Sequence, residues 1–263
     1  GDWAYQDQCF QFSRSWRAIQ ICHKCTALRK TRPGGILYTS FGSEWQHFTN
    51  TEALLYVMPA EMNPLTLVPG FHISCVRGCA MHTSNLGIMQ NLTAEGLLWL
   101  CEHQVCSSDP NADMKRLLHD CYNHFKKWCS RSSISTSMRK FTPNLLHLHV
   151  KPPDYPFLGA KAYNCRVVLA WLAEALTCAS TQTILRARRP SESDEDYERR
   201  QHLSHLVVST VYELASWQLK MEKLPRYLTE DQALDQYNHG IFFLKLYRAA
   251  AYEFLMQGKL RFF

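Results

Sequence analysis

Cys22-His23-Lys24-Cys25 is the strongest chemical signal in the sequence. Two thiolates two residues apart on a tight turn can each ligate one zinc ion at about 2.3 Å, and a structural site then needs two further donors. No second pair stands at standard spacing. The remaining donors must be single residues, with Cys9 and His82 first in line, then His23, His47, Cys75 and Cys79. The same residues admit two other readings: packed thiols in a turn, or a redox dithiol, which would need a thioredoxin-like βαβ context. A second cluster is Arg77-Gly78-Cys79-Ala80-Met81-His82, where an apolar run gives way to a helical pattern, the place at which α/β folds set functional side chains. Cys79 and His82 form a conceivable catalytic nucleophile pair, its thiolate favoured by a helix N-terminus and by Arg77, but no third residue is placed to orient it. Packing and capping are the plainer roles for both. His119, His124, His147 and His149 lack neighbouring donors and read as surface or linker histidines. No Gly-rich phosphate loop, Gly-x-Ser-x-Gly elbow or His-Glu-x-x-His occurs.

The elements that must position these residues fall into two halves. The turn Pro33-Gly34-Gly35 leads into Ile36–Phe41, whose β-branched and aromatic residues suit a strand. A short helix is expected at about 49–58, capped by Thr49 or Asn50 with Glu52 early in its first turn. Phe71–Val76, short and apolar after Pro69-Gly70, predicts a buried strand, and from Thr83 a helix of about 20 residues follows. Beyond Pro110 the pattern is helical, with candidate helices at about 110–129, 157–180, 194–222 and 230–257. Residues 141–157, with Pro143, Pro152, Pro153 and Pro156, form a linker. The run Arg186–Asp196, basic then acidic, is expected to be an exposed, mobile loop.

At 263 residues, with 46% apolar and 20% charged side chains, the chain has the make-up of a globular protein able to build a core without disulfides. No stretch approaches a membrane span and the N-terminus has no apolar signal core, so the expectation is an intracellular protein whose cysteines are reduced and mostly buried. The opening Gly1 and the closing Leu260-Arg261-Phe262-Phe263, residues suited to a strand's beginning, predict a fragment of something longer. The net charge of +6 is unevenly spread: residues 1–43 carry six basic and two acidic side chains, 44–112 one and six, and 113–140 seven and two. The basic blocks predict weak, non-specific, salt-sensitive contact with nucleic acid through Arg14, Arg17, Lys24, Arg29, Lys30 and Arg32 in the first, and Lys115, Arg116, Lys126 and Lys127 in the second.

The run Phe71–Gln90 resembles a segment of transposon-derived DDE transposases, particularly CACTA-like and related eukaryotic groups. In those a strand ends in an acid, any residue, Met-His, and a Leu-Gly-Val-like step enters a long helix. The upstream Cys pair also fits, and Lys161–Arg166 and Tyr247–Phe263 look like the helical region that such proteins insert into their core. The resemblance implies an α+β, mostly helical fold: a partial ribonuclease H-like core with a large all-α insertion, divided at 1–105 and 106–263. It also implies a strand at 71–76 paired with the one at 36–41, DNA as partner and the nucleus as location. The family's chemistry uses three carboxylates and two divalent metals for phosphodiester transfer. Here Cys79 stands at the acid position, a poor ligand for Mg²⁺, and the family's third acid would fall beyond Phe263. Mg²⁺ would therefore belong only to an intact family site, and the resemblance implies a decayed or truncated transposase core that does not cut DNA unaided. The alternative is a non-enzymatic, zinc-stabilised helical module that binds nucleic acid or protein.

Overall fold

The computed structural model describes residues 6, 9–10, 12, 14, 18–28, 36–37, 48–54, 63–77, 81–148 and 155–259. They are mostly helical, and the chain divides into two compact units, Gly1–Thr83 and Ser84–Phe263. The division comes earlier than the expected 105/106, because the helix that follows Ser84 packs into the helical unit. Among the described residues no helix is long and apolar enough to cross a membrane.

In the first unit, β1 (Ala27–Leu28) pairs in parallel with β2 (Ile36–Leu37), Ala27 opposite Ile36 and Leu28 opposite Leu37. An antiparallel bridge joins Gln20 to Leu28. Helix α1 (Asn50–Leu54) starts as its sequence predicts: the Thr49 hydroxyl accepts from the Glu52 N–H at 3.2 Å, and the Glu52 carboxylate accepts from the Thr49 N–H at 2.8 Å. Leu55 to Met58, the rest of the expected helix, lie outside the described residues, as do 38–41 of the expected strand.

The expected strand at 71–76 is not formed. Ile73–Cys75 is instead a single tight turn of 3₁₀ helix. The reason is local: His72 Nδ1 accepts from the Ser74 N–H at 3.1 Å, and the amides of Cys75 and Val76 donate to the carbonyls of His72 and Ile73. A side chain that bonds the backbone two residues on offers an alternative to a sheet ladder. Ile73 and Val76 are buried all the same, against Phe12 and Ala53, with Phe10, Phe48 and Phe71 around them. Among the described residues the sheet has no strands beyond β1 and β2, so they do not show a ribonuclease H-like core.

The second unit is a helical bundle. Its helices are α2 (Met89–Glu102), α3 (Met114–Arg131), α4 (Ala162–Thr177), α5 (Ala179–Arg186), α6 (Asp194–Lys223) and α7 (Glu230–Met256). The long helix expected from Thr83 is broken: Met81–Ile88 is an irregular, wide-wound segment interrupted at Gly87, and regular α-helix begins at Met89. Starts elsewhere follow capping chemistry. Asp113, Ser193 and Thr229 each accept an amide of the first turn, and Thr229 with Gln232 completes a capping box. Helix α6 adds Asp194, Glu195 and Asp196 in its first turn and Lys220 and Lys223 in its last, each sign where the helix dipole favours it.

Helix α2 packs against α3, α4 and α6, while α6 and α7 form a hairpin. Met89, Leu92, Leu97 and Leu100 on α2 have no exposed surface. Between α3 and α4 an aromatic group of Phe125, Phe141 and Trp171 closes the core, with ring centroids 5.4–6.0 Å apart. The expected linker contributes to it, since Phe141 and Leu146 are buried, as is Leu158 just beyond. Gly96 marks the closest approach: a Cβ there would lie 3.0 Å from Leu172 Cδ1, so α2 and α4 touch nearly backbone to side chain.

The stretch 186–196, expected to be a mobile loop, is latched. Arg200, 8% exposed, donates to Glu192 through Nε at 2.7 Å and Nη2 at 2.8 Å, and to the carbonyls of Leu185 and Ala187. A planar guanidinium with five donors suits such a junction. Arg188 adds a pair with Asp194 at 2.6 Å.

The latch has a pH signature. Arg200 holds the Glu192 carboxyl well below its usual value, at about 2. A depressed carboxylate contributes stability that is complete above the unfolded value near 4.5 and is lost as pH falls toward 2, because the unfolded chain takes up the proton first. The melting temperature should therefore fall across that window, and less steeply in Glu192→Gln; identical slopes in the two proteins would contradict the latch.

Candidate functional site

The Cys22–Cys25 turn is held from both sides by backbone. Phe48 donates its amide to Lys24 O at 2.9 Å, and Ile21 donates to Ala27 O at 3.3 Å as the chain enters β1. Arg14, only 4% exposed, reaches in to donate through Nε to Cys22 O at 2.8 Å and through Nη2 to Cys25 O at 3.3 Å. Its guanidinium lies 4.9 Å from the Phe48 ring centroid. Arg14 is thus a clamp on the turn: its guanidinium is buried and engaged by two carbonyls and an aromatic face, unlike the exposed cation expected of a phosphate contact.

The sulphurs occupy unlike states. The Cys25 thiol donates to Cys22, and the amides of Lys24 and Cys25 add to it, so Cys22 is held down at about 6, as a thiolate at neutral pH. Lys24 N stands 3.3 Å from Cys22 Sγ. The same bond and burial push Cys25 up strongly, against an opposing hydrogen bond from the Ala27 backbone. Between them His23 is 6% exposed, stacked on Phe12 with ring centroids 4.3 Å apart. Neither of its ring nitrogens has a hydrogen-bond partner, and burial lowers it to about 4, so it stays neutral.

Among the described residues no group of three His, Cys, Asp or Glu is gathered as a metal site. Among the described residues neither Cys9 nor His82 completes such a group with the thiol pair, nor does Cys75, which is exposed and acts on the charge of Lys24. Cys9 instead lends its carbonyl to Asn63 Nδ2 at 2.9 Å. Cys79, the expected position of the family acid, and His47 lie outside the described residues, so the Cys79–His82 pair is not described; His82 itself is half-buried in the irregular segment from Met81. The described cysteines are all free thiols.

Of the other expected nucleic-acid contacts, Arg17, Arg29, Lys30 and Arg32 lie outside the described residues, and Lys24 is half-buried beside the thiols. Helix α3 brings the second block together. Lys115 and Lys126, eleven residues or about 16 Å apart along the axis, fall on one line of its solvent face, with Lys127 about 100° further round. Arg116 is paired to Asp120 at 3.2 Å, which leaves the three lysines as the free cations of that helix among the described residues. Arg131 is paired to Glu174, whose other oxygen accepts from Trp128 Nε1 at 2.7 Å. Arg139 and Lys140, beyond the end of the helix, are exposed as well. This block is legible in the sequence, whereas the part played by Arg14 is not, because nothing in a one-dimensional charge count separates a buried arginine from an exposed one. The one available sign was the aromatic company of Phe10, Phe12 and Trp16.

No family model matches the chain, and neither does any curated protein or solved structure.

Replacing Arg14 by Met keeps the aliphatic length and removes the donors to two carbonyls. The cost should be about 2 kcal/mol in the first unit, the usual penalty for buried acceptors left unsatisfied. Hydrogen exchange at the amides of residues 21–28 reads it, and unaltered protection would mean the clamp is idle.

Proposed function

We propose that the chain is a non-catalytic binding module that holds nucleic acid on the basic face of α3. The observation that carries this reading is the group Lys115, Lys126 and Lys127: three exposed cations within about a third of the helix circumference, with the neighbouring acids Asp120 and Glu174 already engaged by Arg116 and Arg131. Flexible ammonium groups without a fixed partner neutralise phosphates and release counterions, and they read no sequence. Binding to DNA is accordingly weak, non-specific and salt-dependent. Changing all three lysines to alanine should reduce the slope of log affinity against log salt by about three units, close to one for each phosphate no longer neutralised. A slope that stays as steep would place the binding face elsewhere.

In the same reading Cys22 and Cys25 supply half of a structural zinc site. Support comes from the turn: an amide already directed at Cys22 Sγ, and a Cys22 thiol held well below its usual value, first by its neighbour Cys25, which favours the deprotonated form that a metal binds. Two further donors would come from outside the described residues, where Cys79 and His47 stand in the sequence. Purified protein should hold close to one equivalent of zinc, and the Cys22→Ser, Cys25→Ser double variant less than about a tenth of that; equal zinc in both would end the assignment.

Descent from a DDE transposase, with its nuclear location and ribonuclease H-like core, is the accompanying proposal on ancestry, and its support is the run Phe71–Gln90. With Cys79 at the acid position the two-metal geometry cannot assemble as usual. Plasmid DNA incubated with the protein and Mg²⁺ or Mn²⁺ should stay intact; chelator-sensitive cleavage that persists through repurification would overturn this.

A further inference from the structure

We propose that the second unit carries a binding site for a small oxyanion, a phosphate- or carboxylate-bearing molecule, in the cleft where the end of α2, the start of α6 and the end of α7 meet. The cleft has a volume of about 440 Å³, and its wall includes Trp99, Gln257, Arg189 and Lys259. Trp99 is 3% exposed, and its indole Nε1–H is buried with no acceptor; the Gln257 Nε2 amide is likewise buried without one. Buried donors are nearly always satisfied, and two residues of one cleft wall, Trp99 and Gln257, each carry a donor for which the protein itself provides no acceptor.

Charge points the same way. The Arg200–Glu192 pair is internally satisfied, and Arg199 is engaged by Glu195 and Asp196. Glu102 also lines the cleft, but against it stand Arg189 and Lys259, both exposed, neither with an ion pair among the described residues. The carbonyls that end the two helices do not compete for the cations, because they are capped. His103 N–H turns back on Trp99 O and Cys101 O. At the end of α7 the amides of Gly258 and Lys259 donate to Leu255 O and Phe254 O at 2.9 Å each. That closing turn needs a left-handed residue, supplied by Gly258 at φ +69°, and it sets Gln257 and Lys259 on the cleft. The four groups come from three separate stretches of sequence and have no spacing that a linear motif could reveal. None belongs to the basic face of α3, so the site is distinct from the one proposed for nucleic acid.

The test is calorimetric titration of the full chain with inorganic phosphate and, separately, with acetate, each against chloride at matched ionic strength. Saturable binding by either anion is expected, and the anion that saturates fixes the class. The double variant Arg189→Ala, Lys259→Ala, both surface positions, should weaken it at least about tenfold while leaving duplex DNA binding unchanged. Trp99→Phe, which keeps an aromatic ring and removes the N–H, should weaken it several-fold. Heats indistinguishable from chloride for both anions, or native affinity in the double variant, would overturn the proposal.

Discussion

The constraint on which the helical unit depends is the burial of α2 from Leu92 to Cys101. Over that stretch the helix has almost no surface left for water, and the buried set includes Thr93, Glu95 and Gly96 as well as its leucines. A helix enclosed on all sides must satisfy its polar groups internally, and the Thr93 hydroxyl does so by donating to Met89 O at 2.8 Å. Enclosure also fixes the neighbours. Helix α4 approaches through Gly96, α3 meets it across Cys101 and Cys121, whose sulphurs are 3.8 Å apart, and Phe254 of α7 abuts Trp99 edge-on. Glu95 is buried in the same helix, and the Tyr247 phenol is pushed up by its own burial first and then by the Glu95 carboxyl.

The hairpin of α6 and α7 shows how polar groups buried against that frame are made to fit. Trp217 Nε1 donates to Gln236 O at 3.1 Å, and Gln236 Nε2 donates to Trp217 O at 3.0 Å. This reciprocal pair locks the two helices in one register, and Gly240 gives the Trp217 ring room, with Nε1 3.2 Å from where a Cβ would stand. His239 and Glu213 add a 2.6 Å contact one turn away. Register set by directional bonds explains how helices of 30 and 27 residues, neither strongly two-faced in sequence, pair in one way.

Helix periodicity made the second unit legible. The starts at Ser193 and Thr229 and the stops near Pro225 and Gly258 follow local chemistry that short windows of sequence display. The first unit resisted, because apolar residues in a run of six look alike in a buried strand and in a packed turn. Phe71–Val76 turned on His72, whose Nδ1 takes up the Ser74 amide that a sheet would have needed, with the Ser74 hydroxyl against the same ring nitrogen. Latching of 186–196 was equally hidden: Glu192 and Arg200 are separated by a helix start, and only folding makes them a pair. The Cys22–Cys25 turn was visible as a spacing, whereas the unlike states of its two sulphurs depend on backbone amides that no spacing reports.

A division of labour between the two cation types ties these observations to function. Arginine does the internal work: Arg14 clamps the thiol turn, Arg200 latches the 186–196 stretch, and Arg116, Arg131, Arg188 and Arg199 each hold a carboxylate. A planar fork loses little freedom per bond formed, so it suits fixed geometry. Lysine on α3 is left to solvent, whereas Lys220, paired to Asp235 across the α6–α7 hairpin, takes an arginine-like part. A strongly hydrated ammonium on a flexible stem gains little from a fixed protein partner and is well suited to a phosphate backbone whose position varies. The sequence-wide excess of positive charge therefore overstates what is available for binding. What remains among the described residues after these arginines are discounted includes three lysines grouped on one face of α3, and that grouping, rather than the total of +6, is the physical basis of the proposed polyanion contact.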